Sequence, residues 1–340
     1  MATIGNRWLD LADLYKMKDD WKQFAVIIEL LHQHNPMLTD ALTIECNQGT
    51  SHRTTVRTGL PSLTWGQLYK GTPQSKGSYT QVDDTTGFLE GSCQIDERLL
   101  KLGGNAAQTR MNEAEGFMEA FAQDMARQLI YGNVNTNPER FTGFAPRFND
   151  LTAVNGRQIV DAGGTGSNNT SIWMVTWGAN AAHMIYPQGT PAGLDREDKG
   201  SQRVLDAEGN PYYAQEEMFT WHAGLTVRNW QKIVRIANID TAALAAGTVD
   251  IYKFLRQGYW RHQRQSTNKA GGQDTNFSAI YCNADVLEAL DGAATPTVST
   301  GANQIVRVNP SEQEGMPIFD YRGVPVRQTD ALLNTEARVV

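Results

Sequence analysis

Cysteine is scarce in this sequence. Cys46, Cys93 and Cys282 are the only three in 340 residues. They are far apart and odd in number, and no pair has C-x-x-C or metal-ligand spacing, which argues against a disulfide framework and fits a reducing compartment. Long apolar runs are missing as well. The stretch 24–31 is broken by Glu29, and nothing approaches the ~20 residues of a membrane helix. The opening Met-Ala-Thr-Ile-Gly has no basic region followed by an apolar one. The expectation is a soluble product, made in the cytoplasm and without a membrane partner. Basic charge is also in deficit: 30 Lys+Arg stand against 37 Asp+Glu, a net charge of −7. A sequence reader of nucleic acid needs a dense cationic surface, so that class is disfavoured. No charge block or internal repeat appears.

What is present is ordinary globular material, 40% hydrophobic and 20% charged, long enough for about two folding units. Glycine is plentiful at 31 residues, implying many turns. Leu14, Met17, Trp21, Phe24, Ile28 and Leu31 recur at intervals of three and four, which predicts an amphipathic helix over 8–34, stopped by Pro36. Residues 50–100 are rich in Thr, Ser, Gly and Gln and thin in apolar groups. Strands are predicted at 54–57 and 78–82, closing at a tip over 70–77. A hairpin with so little apolar face is not stable alone, so it is expected to lean on another chain.

The strongest helical signal covers 106–131, where Ala114, Met118, Phe121, Met125 and Leu129 share one face and Gly132-Asn133 marks the stop. Residues 141–148 read as a linker. Strands follow at 171–177, 225–228, 233–236 and 279–282, with a helix over 249–260. Asn283 caps a helix over 284–290, and two short strands meet near Gly323.

Motifs that carry chemistry are wanting. The glycine loop 163–166 lacks Gly-Lys-Ser/Thr and precedes a strand, so it offers a phosphate no helix N-terminus. His32 and His34 do not share a helical face. His52, His183, His222 and His262 stand apart from one another in sequence. Asp83-Asp84 and Glu216-Glu217 are adjacent and would diverge on a strand. No catalytic residue, cofactor or metal is expected, and the parts suit a subunit that spends its surface on other subunits.

The order of these elements resembles the Hong Kong 97 type of tailed-phage major capsid protein. The resemblance spans nearly the whole chain. It is carried by Met1-Ala2-Thr3-Ile4-Gly5-Asn6-Arg7-Trp8-Leu9-Asp10-Leu11-Ala12-Asp13, by Tyr131-Gly132-Asn133 with Phe141-Thr142-Gly143-Phe144 behind it, and by Val324-Pro325-Val326 with Thr329-Asp330-Ala331-Leu332. These stretches look like the capsid proteins of short-tailed phages (podoviruses). The resemblance implies an α+β fold with an N-terminal arm (1–50), an E-loop (51–97), a P domain (98–139 and 316–340) built on a spine helix (106–131), and an A domain (140–315).

It further implies a non-enzymatic subunit that assembles as hexamers and pentamers into an icosahedral head around double-stranded DNA. The expected partners are a separate scaffolding protein, a portal, and a decoration protein as an optional addition; the packaged DNA is held without sequence-specific binding. A separate scaffold is expected because about 50 residues precede the E-loop, too few for a built-in scaffolding domain. Locking between subunits is expected to be non-covalent. The expected inter-subunit contacts are Leu14, Trp21, Phe24 and Ile28 in the arm and Trp65, Tyr69, Lys70 and Lys76 in the loop. The expected spine-helix core is Met118, Phe121, Met125 and Leu129. A cellular nanocompartment shell protein is the alternative reading, and a carbohydrate-active hydrolase a distant one.

Overall fold

The computed structural model describes residues 18–20, 23–24, 32–103, 105–206, 208–262, 277–294, 309–313 and 316–340. The chain opens with β1 (Lys18–Asp20) and β2 (Gln23–Phe24), paired antiparallel with each other. The helix expected over 8–34 is therefore corrected at these positions. An isolated amphipathic stripe gains little from helix unless a surface covers it, and propensity alone does not decide its conformation. Leu14, Met17, Trp21, Ile28 and Leu31 lie outside the described residues.

Helix α1 (Pro36–Asp40) and β3 (Thr43–Glu45) lead into the hairpin strands β4 (Ser51–Gly59) and β5 (Ser78–Asp96). Then come α2 (Glu97–Gly103) and the 26-residue α3 (Ala106–Tyr131). At ~1.5 Å per residue α3 is about 39 Å long. The Asn105 side chain accepts from the Gln108 amide at its start. Gly132 ends it with φ −54°, so the expected left-handed stop is not used. A Cβ here would collide with Gln128 and with the Phe141 carbonyl; close approach is what requires glycine.

The remaining elements are α4 (Phe144–Arg147), β6 (Ile159–Asp161), β7 (Asn169–Trp177), β8 (Ala182–Tyr186), β9 (Gly193–Leu205), β10 (Pro211–Val227), β11 (Ile233–Asp240), α5 (Thr241–Ala245), α6 (Ile251–Arg261), β12 (Phe277–Cys282), α7 (Ala284–Ala294), β13 (Asn309–Gln313), β14 (Met316–Tyr321) and β15 (Val324–Gln328). One mixed sheet runs β13-β14-β15-β12-β7-β8-β10-β5-β4, with β11 beside β7, β6 beside β11, β3 beside β8 and β9 beside β10.

β7 is buried at every position. Its period of two sends Trp173, Val175 and Trp177 to one face, against Met125, Leu129 and Ile130 of α3 and Phe144 of α4. Ile172 and Met174 go to the other face, against Ile251 and Leu255 of α6 and Val286 and Leu290 of α7. The segment 141–148, expected as a linker, is core: Phe141, Phe144 and Phe148 are all buried, and Phe144 and Phe148 pack edgewise or tilted on Trp173. Three closely spaced aromatics would be a poor linker because water would have to wet them.

The C-terminal segment is sewn into this core. Glu336 is paired with Arg235 at 2.8 Å, both almost fully buried. It also accepts from the Tyr131 hydroxyl at 2.5 Å and from Ser171. Arg235 donates to the Phe148 carbonyl and lies over the Trp173 ring. Val339 exchanges hydrogen bonds with the Asn238 side chain, and the Leu151 amide donates to the Val340 carbonyl. Removing one partner of such a pair strands the other charge in the core. Glu336→Ala is therefore expected to cost about 3–5 kcal/mol in urea unfolding of the full chain. A loss under 1 kcal/mol would show that the pair is not holding the C-terminus.

Candidate functional site

Two features project from this framework: the β4–β5 hairpin and the outer face of α3. β4 pairs with the first part of β5 from Ser51↔Thr85 to Gly59↔Ser78. The second part of β5 pairs with β10 from Thr86↔Gly224 to Asp96↔Ala214. One strand thus belongs half to the body and half to the arm. Beyond its root, where His52, Thr54 and Asp84 are buried, the arm's side chains are mostly polar and solvated. Arg53 grips Asp83 in a two-point ion pair at 2.6 and 2.8 Å, and Arg57 lies over the Tyr79 ring.

The hairpin ends in the segment 60–77, which has no regular structure. Leu63 is 93% exposed, Trp65 99% and Leu68 88%, with Leu60 and Tyr69 equally bare. Tyr69 sits at φ +63°, a left-handed conformation that a bulky side chain adopts at a cost. The segment carries Lys70 and Lys76 and no acidic residue, so its tip is apolar and cationic at once. The expected contact residues Trp65, Tyr69, Lys70 and Lys76 all fall within this segment.

On α3 the structure buries Ala114, Phe121, Met125 and Leu129. Met118 is corrected: it is 43% exposed. Phe117 stacks on Phe219 of β10 at 5.3 Å, and Met118, one position on, is turned outward on the same side of the helix as exposed Met111. Glu119 on the same helix accepts from the Gln33 amide and from His32, both at 2.9 Å. Burial alone would raise the Glu119 carboxyl. The hydrogen bonds from Gln123, the Gln33 amide and His32 together bring it below its usual range. This is where the N-terminal segment is tied to the helix. Nearby, His34 and Asp330 exchange hydrogen bonds, the His34 amide donating to the Asp330 carboxylate and the Asp330 amide to the His34 carbonyl.

The adjacent carboxylates divide between opposite sheet faces, and all but Glu216 are occupied by cations. Asp83 holds Arg53 outward and Asp84 holds Arg147 inward. Glu217 is buried and shared by Arg110 and Arg196, while Glu216 accepts from Gln94. The cysteines are buried and free; burial pushes the Cys93 thiol up to about 11 and Cys282 up to about 12, the opposite of an activated nucleophile. Among the described residues no group of three His, Cys, Asp or Glu could hold a metal ion, and no helix is long and apolar enough to cross a membrane. The sequence reading missed the β9–β10 hairpin, whose β9 is a solvated edge strand without apolar alternation.

A body with a core on both faces of its sheet, carrying a polar arm with a bare apolar tip and a partly bare long helix, is the architecture of a shell subunit of the Hong Kong 97 type. The family model for the major capsid protein GP7 matches residues 19–340, and the chain belongs to that family. It is a phage major capsid protein, a structural subunit that assembles with copies of itself into the icosahedral head. A chain from the cryo-EM structure of bacteriophage Epsilon15 is 32% identical, with a TM-score of 0.74 over 100% of this chain and 99% of that one. More remote matches are the bacteriophage JBD30 capsid (12% identity, TM-score 0.47, 89% of this chain and 93% of that one) and the holo-SrpI encapsulin complex from Synechococcus elongatus (10%, 0.46, 68% and 96%). No curated protein sequence matches the chain.

The two α3 side chains give a paired test. Phe121→Ala is expected to cost about 3–5 kcal/mol of subunit stability, whereas Met118→Ala stays within about 0.5 kcal/mol. Denaturant titrations giving equal losses would mean the helix is turned differently.

Proposed function

We propose that the β4–β5 hairpin is the arm by which one subunit grips its neighbour, with Trp65, Tyr69, Lys70 and Lys76 at the contact. One observation carries this reading: a cluster of large apolar side chains stands almost fully in solvent at the end of a polar ribbon. Burying such a side chain is worth about 1.5–3 kcal/mol, so a lone subunit leaves several kcal/mol of association unrealised. The receiving surface in this reading is the α3–β5 face of another copy. There Met111 and Met118 are exposed along α3 beside Glu115, an acidic complement to the cationic tip. Contacts of this size, repeated over many copies, close a shell because each further contact becomes effectively intramolecular.

The wider scheme is an arm at 1–50, an E-loop at 51–97, a P domain at 98–139 and 316–340, and an A domain at 140–315. Leu14, Trp21, Phe24 and Ile28 act in it as further contacts of the arm. A separate scaffolding protein guides assembly in the host cytoplasm, a portal occupies one vertex and a decoration protein is an optional addition. Double-stranded DNA fills the interior without sequence-specific contact, in keeping with the net charge of −7. The subunit works without a catalytic centre, cofactor or metal.

The joint substitution Trp65→Ala with Tyr69→Ala is expected to leave subunit unfolding unchanged and to abolish closed particles in negative-stain images and on sizing. Normal shells from this variant would overturn the assignment. A chelator is expected to change neither folding nor particle yield, and stoichiometric metal found by elemental analysis would refute the metal-free reading.

A further inference from the structure

Where the hairpin joins the body, buried polar atoms gather without partners. His52 on β4 stands opposite Asp84 on β5, and His183 on β8 opposite Thr226 on β10. The two imidazoles meet edge to face, centroids 5.4 Å apart at 86°. His183 is fully buried and His52 nearly so. His52 Nδ1, Thr54 Oγ1, Thr226 Oγ1, one Asp84 oxygen and both His183 ring nitrogens lack a well-formed hydrogen bond; only a weak approach of the Gly178 carbonyl favours a charged His183. Buried polar atoms are otherwise almost always paired, so this joint is closed at a cost.

The charges around it are lopsided. From α4, Arg147 reaches Asp84 at 2.8 Å; after β10, Arg228 is held by the Ala179 carbonyl at 3.0 Å. Asp84 is the carboxylate set against these two guanidiniums, and Glu45 on β3 is turned away to the Gly189 amide. A proton on either imidazole would add positive charge to a surround that is already positive and dry.

We propose that the His52–His183 pair is an acid-released latch at the root of the hairpin. With both rings neutral, they pack together and hold β4 and β5 against β8. With His183 protonated, its charge is buried beside Arg228, and the root opens to hydrate it. The nine residues of β4 form a lever of about 30 Å at ~3.3 Å per residue, so a small opening at the root swings the tip far. The effect of that swing on assembly rests on the contact role proposed for the tip; the latch itself does not.

Burial, then His52 and Arg228, push His183 down from 6.5 to about 4; burial with Arg228 also lowers His52, against the opposing pull of Asp84. Because the closed-state value is depressed, the closed form keeps its full advantage above 6.5. It loses that advantage as the pH falls from 6.5 toward 4, and the loss then levels off. From pH 7 to pH 4.5 the opening constant rises about 60-fold through His183 alone.

The test is amide hydrogen exchange on the full chain at pH 7 and 4.5, corrected for intrinsic rates. Protection at 51–56 and 80–86 should fall about 60-fold while that of β11 holds, and His183→Gln should abolish most of the fall. An unchanged root, an equal fall in β11, or a fall that survives His183→Gln would each overturn the latch. Should that variant fail to fold, imidazole C2 exchange on the wild-type chain decides: a His183 midpoint above 6 overturns the proposal, and one near 4 supports it. Particle loss on tip substitution with an unaltered root titration separates this question from that of the contact role.

Discussion

A strand buried on both faces has to be covered on both faces, and β7 imposes that demand on the whole subunit. Its nine residues leave no side exposed, so α3 and α4 must lie across one face while α6 and α7 lie across the other. The helix faces, the aromatics of 141–148 and the C-terminal segment follow from this arrangement. Glu336 is drawn into the core because Arg235, on the strand beside β7, needs a buried counter-charge. The rigid body is the set of elements that this strand requires.

The arm obeys the opposite rule. β4 and the first part of β5 carry polar side chains and bury little, so nothing within the subunit fixes the tip in place. What the arm does have is a mechanical connection. β5 continues without interruption from the tip, past the root, into its pairing with β10, and β10 is bound through Glu217 and Arg110 to α3. A load applied at the tip of one subunit therefore reaches its sheet and long helix. A stiff body with a compliant, connected arm suits a shell in which one chain must meet its neighbours at slightly different angles.

Much of the body was legible in the sequence. α3 had an apolar stripe from Ala114 to Leu129, and Gly132-Asn133 marked its end. β7 was legible as a dense β-branched and aromatic run, and the hairpin from its Thr-rich strands and glycine-bearing tip. Errors arose where two readings share one pattern. Met118 falls on the same stripe as Phe121, yet it is Phe117 that stacks on Phe219 of β10 while Met118 faces outward. The 141–148 segment has no period to read, because three aromatics fill one pocket without regular structure around most of them. β9 is an edge strand, specified by pairing to β10 and not by its own side chains.

The sequence by itself determined which segments could be helix or strand, that one long hairpin would be short of apolar cover, and that no compact catalytic motif was present, since each of these is a property of neighbours along the chain. Only the tertiary structure decided which side of α3 faces the core, that Glu336 closes a buried pair with Arg235, and that His52 meets His183 at the root of the arm. Those contacts join residues far apart in sequence. Their energies depend on burial and on the charges brought in from other strands, quantities that no local pattern of side chains encodes.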